Sequence, residues 1–141
     1  MKHHTNVVAA HVPPEDASDV LRNDVVSPTA RPTVAIDVTP LLGARTGIGV
    51  ATAEIMTAFR GLEAGPALVP YTLSVRARRH RADVPADTRF VPLPARVLLT
   101  AWARVDSPPI DRWVRPADVI HATNYLTPPS RLPTLVTVYD C

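Results

Sequence analysis

The sequence predicts an α/β fold, a mainly parallel sheet with covering helices. Three observations carry this. The short runs VAIDV (34–38) and LVTV (135–138) have the continuous apolar, β-branched character of strands buried on both faces. Segments with apolar residues on one helical face alternate with such runs. The 16 prolines fall largely in pairs or near-pairs between these segments. Each proline lacks a backbone donor and fixes φ, so these spots mark where helices and strands stop.

The elements follow in order. TVAIDV (33–38) reads as a buried strand, and TPLLGARTGIG (39–49) as a turn-rich connection. IGVATAEIMTAFR (48–60) places Val50, Ile55, Met56 and Phe59 for one helical face, with Thr46 as N-cap and Gly61 as the C′ stop. ALVPYTLSV (67–75) reads as a strand whose first half Pro70 demotes. RARRHRADVPAD (76–87) reads as a polar loop and TRFVPLP (88–94) as a short strand. ARVLLTAWARV (95–105) is a helix with Val97, Leu98, Ala101, Trp102 and Val105 on one side. A break with one short helical turn spans 106–118. DVIHAT (118–123) and TLVTVYD (134–140) are strands joined by a loop. Crossovers in such an arrangement are expected to be right-handed.

Length and composition set bounds. A chain of 141 residues suits one domain and excludes a complete two-domain enzyme. Residues 1–32 read as an irregular tail and 33–141 as the folded part. The chain stops directly after a strand, so the expected sheet is incomplete. The single cysteine, Cys141, excludes an internal disulfide framework or a multi-cysteine metal site. His3 and His4 read as solvated chain. A net charge of +2 gives no global nucleic-acid signature. No stretch reaches the roughly 18 apolar residues of a membrane span. Val7 to Val12 is too short for a secretory signal, so the expected location is the cytoplasm.

Chemistry in an open α/β sheet gathers beyond the carboxyl ends of the strands. Those ends carry Asp37 and Thr39, then His121, Thr123, Asn124 and Tyr125, then Tyr139 and Asp140. Gly47 and Gly49 open the first helix, where backbone N–H groups and the helix dipole favour an anion such as a phosphate. The same glycines also suit a tight helix entry with no ligand. His121 can be a ligand contact, a base or a hydrogen-bonded structural residue. Asp140 can orient a substrate hydroxyl or cap a following helix. Arg76, Arg78, Arg79, His80 and Arg81 form a basic run, suited to a solvated loop or to the inner face of an anionic membrane. It lacks the interleaved aromatics of a single-strand nucleic-acid site. Trp102 and Trp113 read as packing residues. No serine stands in a nucleophile-elbow context, and Cys141 has no evident activating partner.

Two strings taken together resemble a known family. VAIDVTPLLGARTGIG is similar to the opening of family 4 glycosyltransferases of the GT-B fold, and HATNYLTPPSRLPTLVTVYD to a later segment of the same enzymes. The resemblance spans 33–140. It implies the N-terminal, acceptor-side, Rossmann-like domain of a retaining glycosyltransferase. Such an enzyme takes a hexose from a nucleotide sugar to a glycan or lipid-linked acceptor and needs no metal or other cofactor. It implies that Gly47 and Gly49 face the donor phosphates, that Asp37 and Thr39 shape the floor of the cleft, and that His121, Thr123 and Asn124 line it. Tyr139 and Asp140 fall where the family carries a His-Asp pair. Val50 stands in place of a family arginine, Ala51 in place of an aromatic, and Tyr139 in place of the histidine. The family's donor-side domain, with its paired glutamates, is expected to be needed for transfer, so the chain reads either as a truncated, inactive domain or as one working with a separately encoded second half. The alternative is a non-catalytic α/β interaction module, or a degenerate remnant of such an enzyme.

Overall fold

The computed structural model describes residues 31–139 apart from Arg45, Ser74 and Tyr125. The expectations for the tail, Tyr125, Asp140 and Cys141 therefore lie outside the described residues.

Five strands form one sheet: β1 Thr33–Asp37, β2 Ala67–Thr72, β3 Arg89–Phe90, β4 Val119–Ala122 and β5 Thr134–Val136. Their order is β3-β2-β1-β4-β5, and all four pairings are parallel. The helices are α1 Gly47–Gly61, α2 Ala95–Trp102 and the single turn α3 Asp111–Val114. This is a Rossmann-like α/β arrangement. The chain steps outward from β1 to β3, then returns to build β4 and β5 on the other side of β1. The connections leaving β1 and β4 thus diverge, which opens a crevice at the carboxyl ends of that pair.

Side chains alternate along each strand, so the two faces build separate cores. Ala35, Tyr71 and Ile120 pack with Leu98 of α2 and with Ile110 and Val114 around α3. Ile36 and Val38 pack with Met56 of α1, Leu41 and Val84. Leu98, Ile110, Val114, Ile36 and Ile120 are fully buried, and burial of this kind stabilises by roughly 1.5–3 kcal/mol per large apolar side chain.

Several elements differ from the sequence expectation. Pro70 sits inside β2, paired with Ile36. Ala67 donates to Pro32 and Tyr71 accepts from Val38, so the odd-numbered residues of β2 face β1. Pro70 faces the other way, toward β3, whose ladder begins only at Tyr71. The missing N–H therefore costs no ladder bond. The expected polar loop at 76–87 is instead two successive 3-10 turns over Val75–Asp83, meeting at non-helical His80. Ala77 and Val84 are buried and give this segment its anchorage. Gly61 is the last residue of α1 and not its C′ stop; Leu62 is the cap, with its N–H on the Phe59 carbonyl. Pro92 and Pro94 confine β3 to two residues, and Pro94 caps α2.

Two side-chain clamps bracket the central strand pair. At its start, Thr33 N–H donates to Asp118 Oδ2 (2.8 Å) while Asp118 N–H donates to the Thr33 carbonyl (2.8 Å). At its end, the Thr123 hydroxyl donates to the Asp37 carbonyl (2.6 Å).

Candidate functional site

The rim between β1 and β4 collects most of the residues singled out in the sequence. Ile36 pairs with His121, so the turn after β1 and the Thr123-Asn124 segment after β4 leave the sheet at the same level. Beyond β1 a 3-10 turn, Thr39–Leu41, leads through Gly43 to α1. Gly43 has φ of +74°, a left-handed conformation that glycine adopts without steric cost. Its N–H is held by Asp83 Oδ2 at 3.0 Å, which ties the arginine-bearing segment to this loop.

Thr46 caps α1 as its sequence position suggests. Its hydroxyl accepts from Gly49 N–H at 3.5 Å, and its carbonyl accepts from Val50 N–H at 3.0 Å. Helix geometry leaves the N–H groups of Gly47 and Ile48 without intrahelical acceptors. Gly47 is exposed, and a Cβ placed on it meets no atom within 4 Å. Packing does not demand glycine there. Gly49, two residues further in, is buried.

His121 is 3% exposed. By register it shares the α1 face of the sheet with Ile36. Its Nε2 lies 2.8 Å from Thr137 Oγ1, and its Nδ1 is buried with no hydrogen-bond partner among the described residues. Burial lowers its pKa below the usual 6.5, so the ring is neutral at neutral pH. Thr123 is fully buried and engaged with Asp37; Asn124 is half-buried and hydrogen-bonded or otherwise engaged. Tyr139 is half-buried, its hydroxyl enclosed and without a partner among the described residues.

Asp37 is placed differently. It pairs with Tyr71, one residue past the Ile36–His121 pair, so its side chain projects from the opposite face to His121. Its Oδ1 accepts from Thr39 N–H (2.9 Å) and from the Thr39 hydroxyl (2.6 Å). Thr39 Oγ1 in turn accepts from Leu73 N–H at 3.2 Å. The carboxyl thus joins the ends of β1 and β2. Burial pushes its pKa up to about 6, against the lowering effect of the two Thr39 hydrogen bonds. Tyr71 beside it is fully buried, and its hydroxyl has no hydrogen-bond partner among the described residues. Burial, then the neighbouring Asp37, raises that phenol well above its ordinary value.

By topology Gly47, Gly49, His121 and Thr123 all lie toward the carboxyl ends of β1 and β4, while the Asp37 side chain projects from the face opposite to His121. Sequence reasoning missed Thr137, the hydroxyl that fixes His121, and Tyr71. A threonine interrupting the apolar run LVTV was the available sign of the first. Among the described residues no three His, Cys, Asp or Glu side chains gather as a metal site. Nor is any described helix long and apolar enough to cross a membrane.

No family model, curated protein or solved structure matches the chain. What the geometry defines is the class: a Rossmann-like α/β domain with a polar rim at its strand-order reversal.

Proposed function

We propose that the chain is the acceptor-side domain of a retaining glycosyltransferase of the GT-B type, which passes a hexose from a nucleotide sugar to a glycan or lipid-linked acceptor. The observation that carries this reading is the parallel Ile36–His121 pairing. The carboxyl ends of β1 and β4 meet where the strand order reverses, the usual ligand position in such sheets; β1 leads from there to the glycine-bearing helix entry, and β4 carries a neutral histidine.

In this reading the N–H groups of Gly47 and Ile48 face the donor diphosphate, helped by the helix dipole. His121 lines the cleft wall, with its ring oriented by Thr137. Tyr139 offers a phenolic hydroxyl, a hydrogen-bond donor and acceptor, where the family would carry an imidazole. Transfer rests on electrostatic stabilisation of the departing diphosphate, and a second, donor-side domain supplies the groups for that step.

Isothermal titration of the full chain with GDP-mannose and UDP-glucose, alone and with a donor-side domain added, tests this. Binding that Gly47→Ala weakens, and sugar transfer that appears only with the second domain, support it. A second reading, a non-catalytic interaction module, draws on β5. That strand is exposed along its length, and Leu135, Val136 and Val138 are solvent-facing apolar residues. No donor binding in either mixture favours the module.

A further inference from the structure

We propose that the cleft between residues 106–109 and 129–131 is a binding site for a free α-amino acid with an apolar side chain. This is independent of sugar transfer, because the cleft lies at the opposite end of the strands from the β1–β4 rim. Arg131 stands three residues before β5 begins, and Ile120, near the start of β4, donates to the Pro133 carbonyl. In a parallel sheet that end gathers the amino ends of the strands.

Two of the proline pairs in the sequence, Pro108-Pro109 and Pro128-Pro129, come together here. Pro109 and Pro129 line a cleft of about 470 Å³ with Asp106, Ser107, Ser130 and Arg131. Small-molecule sites run to roughly 300–1,000 Å³. The walls are fastened to each other. Ile110 N–H donates to the Pro129 carbonyl (2.9 Å). Asp111 Oδ1 accepts from the Ser130 hydroxyl, and its Oδ2 from Arg131 N–H (3.0 Å). The Trp102 indole N–H holds the Pro108 carbonyl (3.0 Å). Proline fixes φ, so a ligand meets walls already set and orders little on binding.

The free charges of the cleft are of opposite sign and sit on different walls. Asp106 and Arg131 are exposed, and among the described residues neither side chain has a hydrogen-bond or ion-pair partner. Asp111 is already engaged by Ser130 and the Arg131 backbone, which leaves the Arg131 guanidinium to another anion. A simple anion would suit Arg131 and meet like charge at Asp106; a simple cation would do the reverse. A zwitterion suits both. Its carboxylate takes the guanidinium fork, and its ammonium takes Asp106 with help from the Ser107 hydroxyl. The rings of Pro109 and Pro129 carry no N–H and offer methylene surface to an apolar side chain.

Isothermal titration of the full chain with L-phenylalanine and L-leucine tests the proposal. Saturable binding with Kd at or below about 1 mM is expected for at least one of them. The matched acid without the ammonium (3-phenylpropionate or 4-methylpentanoate) and the matched amine without the carboxylate (phenethylamine or isoamylamine) should each bind at least about tenfold more weakly. Arg131→Gln and Asp106→Asn should each lower the amino-acid affinity by about tenfold or more. Both side chains are exposed, so thermal melts without ligand should match the parent. Absence of saturable binding by either amino acid, equal binding of a one-charge analogue, or indifference to both substitutions would each overturn it. So would a melting temperature lowered equally by the two substitutions, which marks Asp106 and Arg131 as an ion pair with each other.

Discussion

The hydroxyl of Thr123 reaches across the sheet to the carbonyl of Asp37. The two residues lie 86 apart in the chain, and their bond falls just past the last ladder pair of β1 and β4. It fastens the strands where their connections diverge, at the mouth of the candidate crevice.

Thr123→Val keeps the shape and removes that donor. The Asp37 carbonyl is then buried without its partner, which costs about 1–3 kcal/mol. Urea unfolding should show the loss, and Thr123→Ser should restore most of it.

Asp37 gives a stability that falls with rising pH. Its folded pKa is raised from 3.8 to about 6, so the folded state favours the protonated carboxyl. The contribution is fully present below about pH 4 and is lost as pH rises through about 6. The full loss is at most about 3 kcal/mol. Asp37→Asn keeps an acceptor for Thr39 and cannot ionise. It should melt higher than the parent at pH 7.5, with the gap closing near pH 4.

His121 acts with the opposite sign. Its folded pKa lies below 6.5, so its contribution is present above that value and is lost as pH falls. An NMR titration of the ring should show a midpoint below the ordinary histidine value. Thr137→Val removes the partner of His121 Nε2 and should cost about 1 kcal/mol of stability.

Gly47 separates stability from binding. With open space at its Cβ position, Gly47→Ala should stabilise α1 by up to about 1 kcal/mol, seen as a higher melting temperature. The same methyl stands over the N–H groups assigned to the donor phosphates, so nucleotide-sugar affinity should fall. A variant that gains stability with unchanged affinity would remove the glycine turn from the site.

Much of this was legible in the residues. The run TVAIDV announces β1, and Thr46 before a helical apolar period announces the start of α1, because strand burial and helix capping are local signals. Strand order is not local. Nothing in the ALVPYT stretch reveals that β3 starts one residue too late to need the Pro70 N–H. The candidate site divides the same way. Strand ends named Asp37 and His121 together, but their register differs by one residue, and in a sheet one residue is the whole difference between faces. Thr137 became visible only once β5 was paired beside β4.

The clamps at Thr33–Asp118 and Asp37–Thr123 bear on how the molecule breathes. Amide protons in the middle of β1 and β4 should exchange with deuterium only through near-global opening, whereas those of β5 exchange by local fraying. Whatever meets the rim therefore encounters a platform already set in place, and does not bear the entropic cost of assembling it.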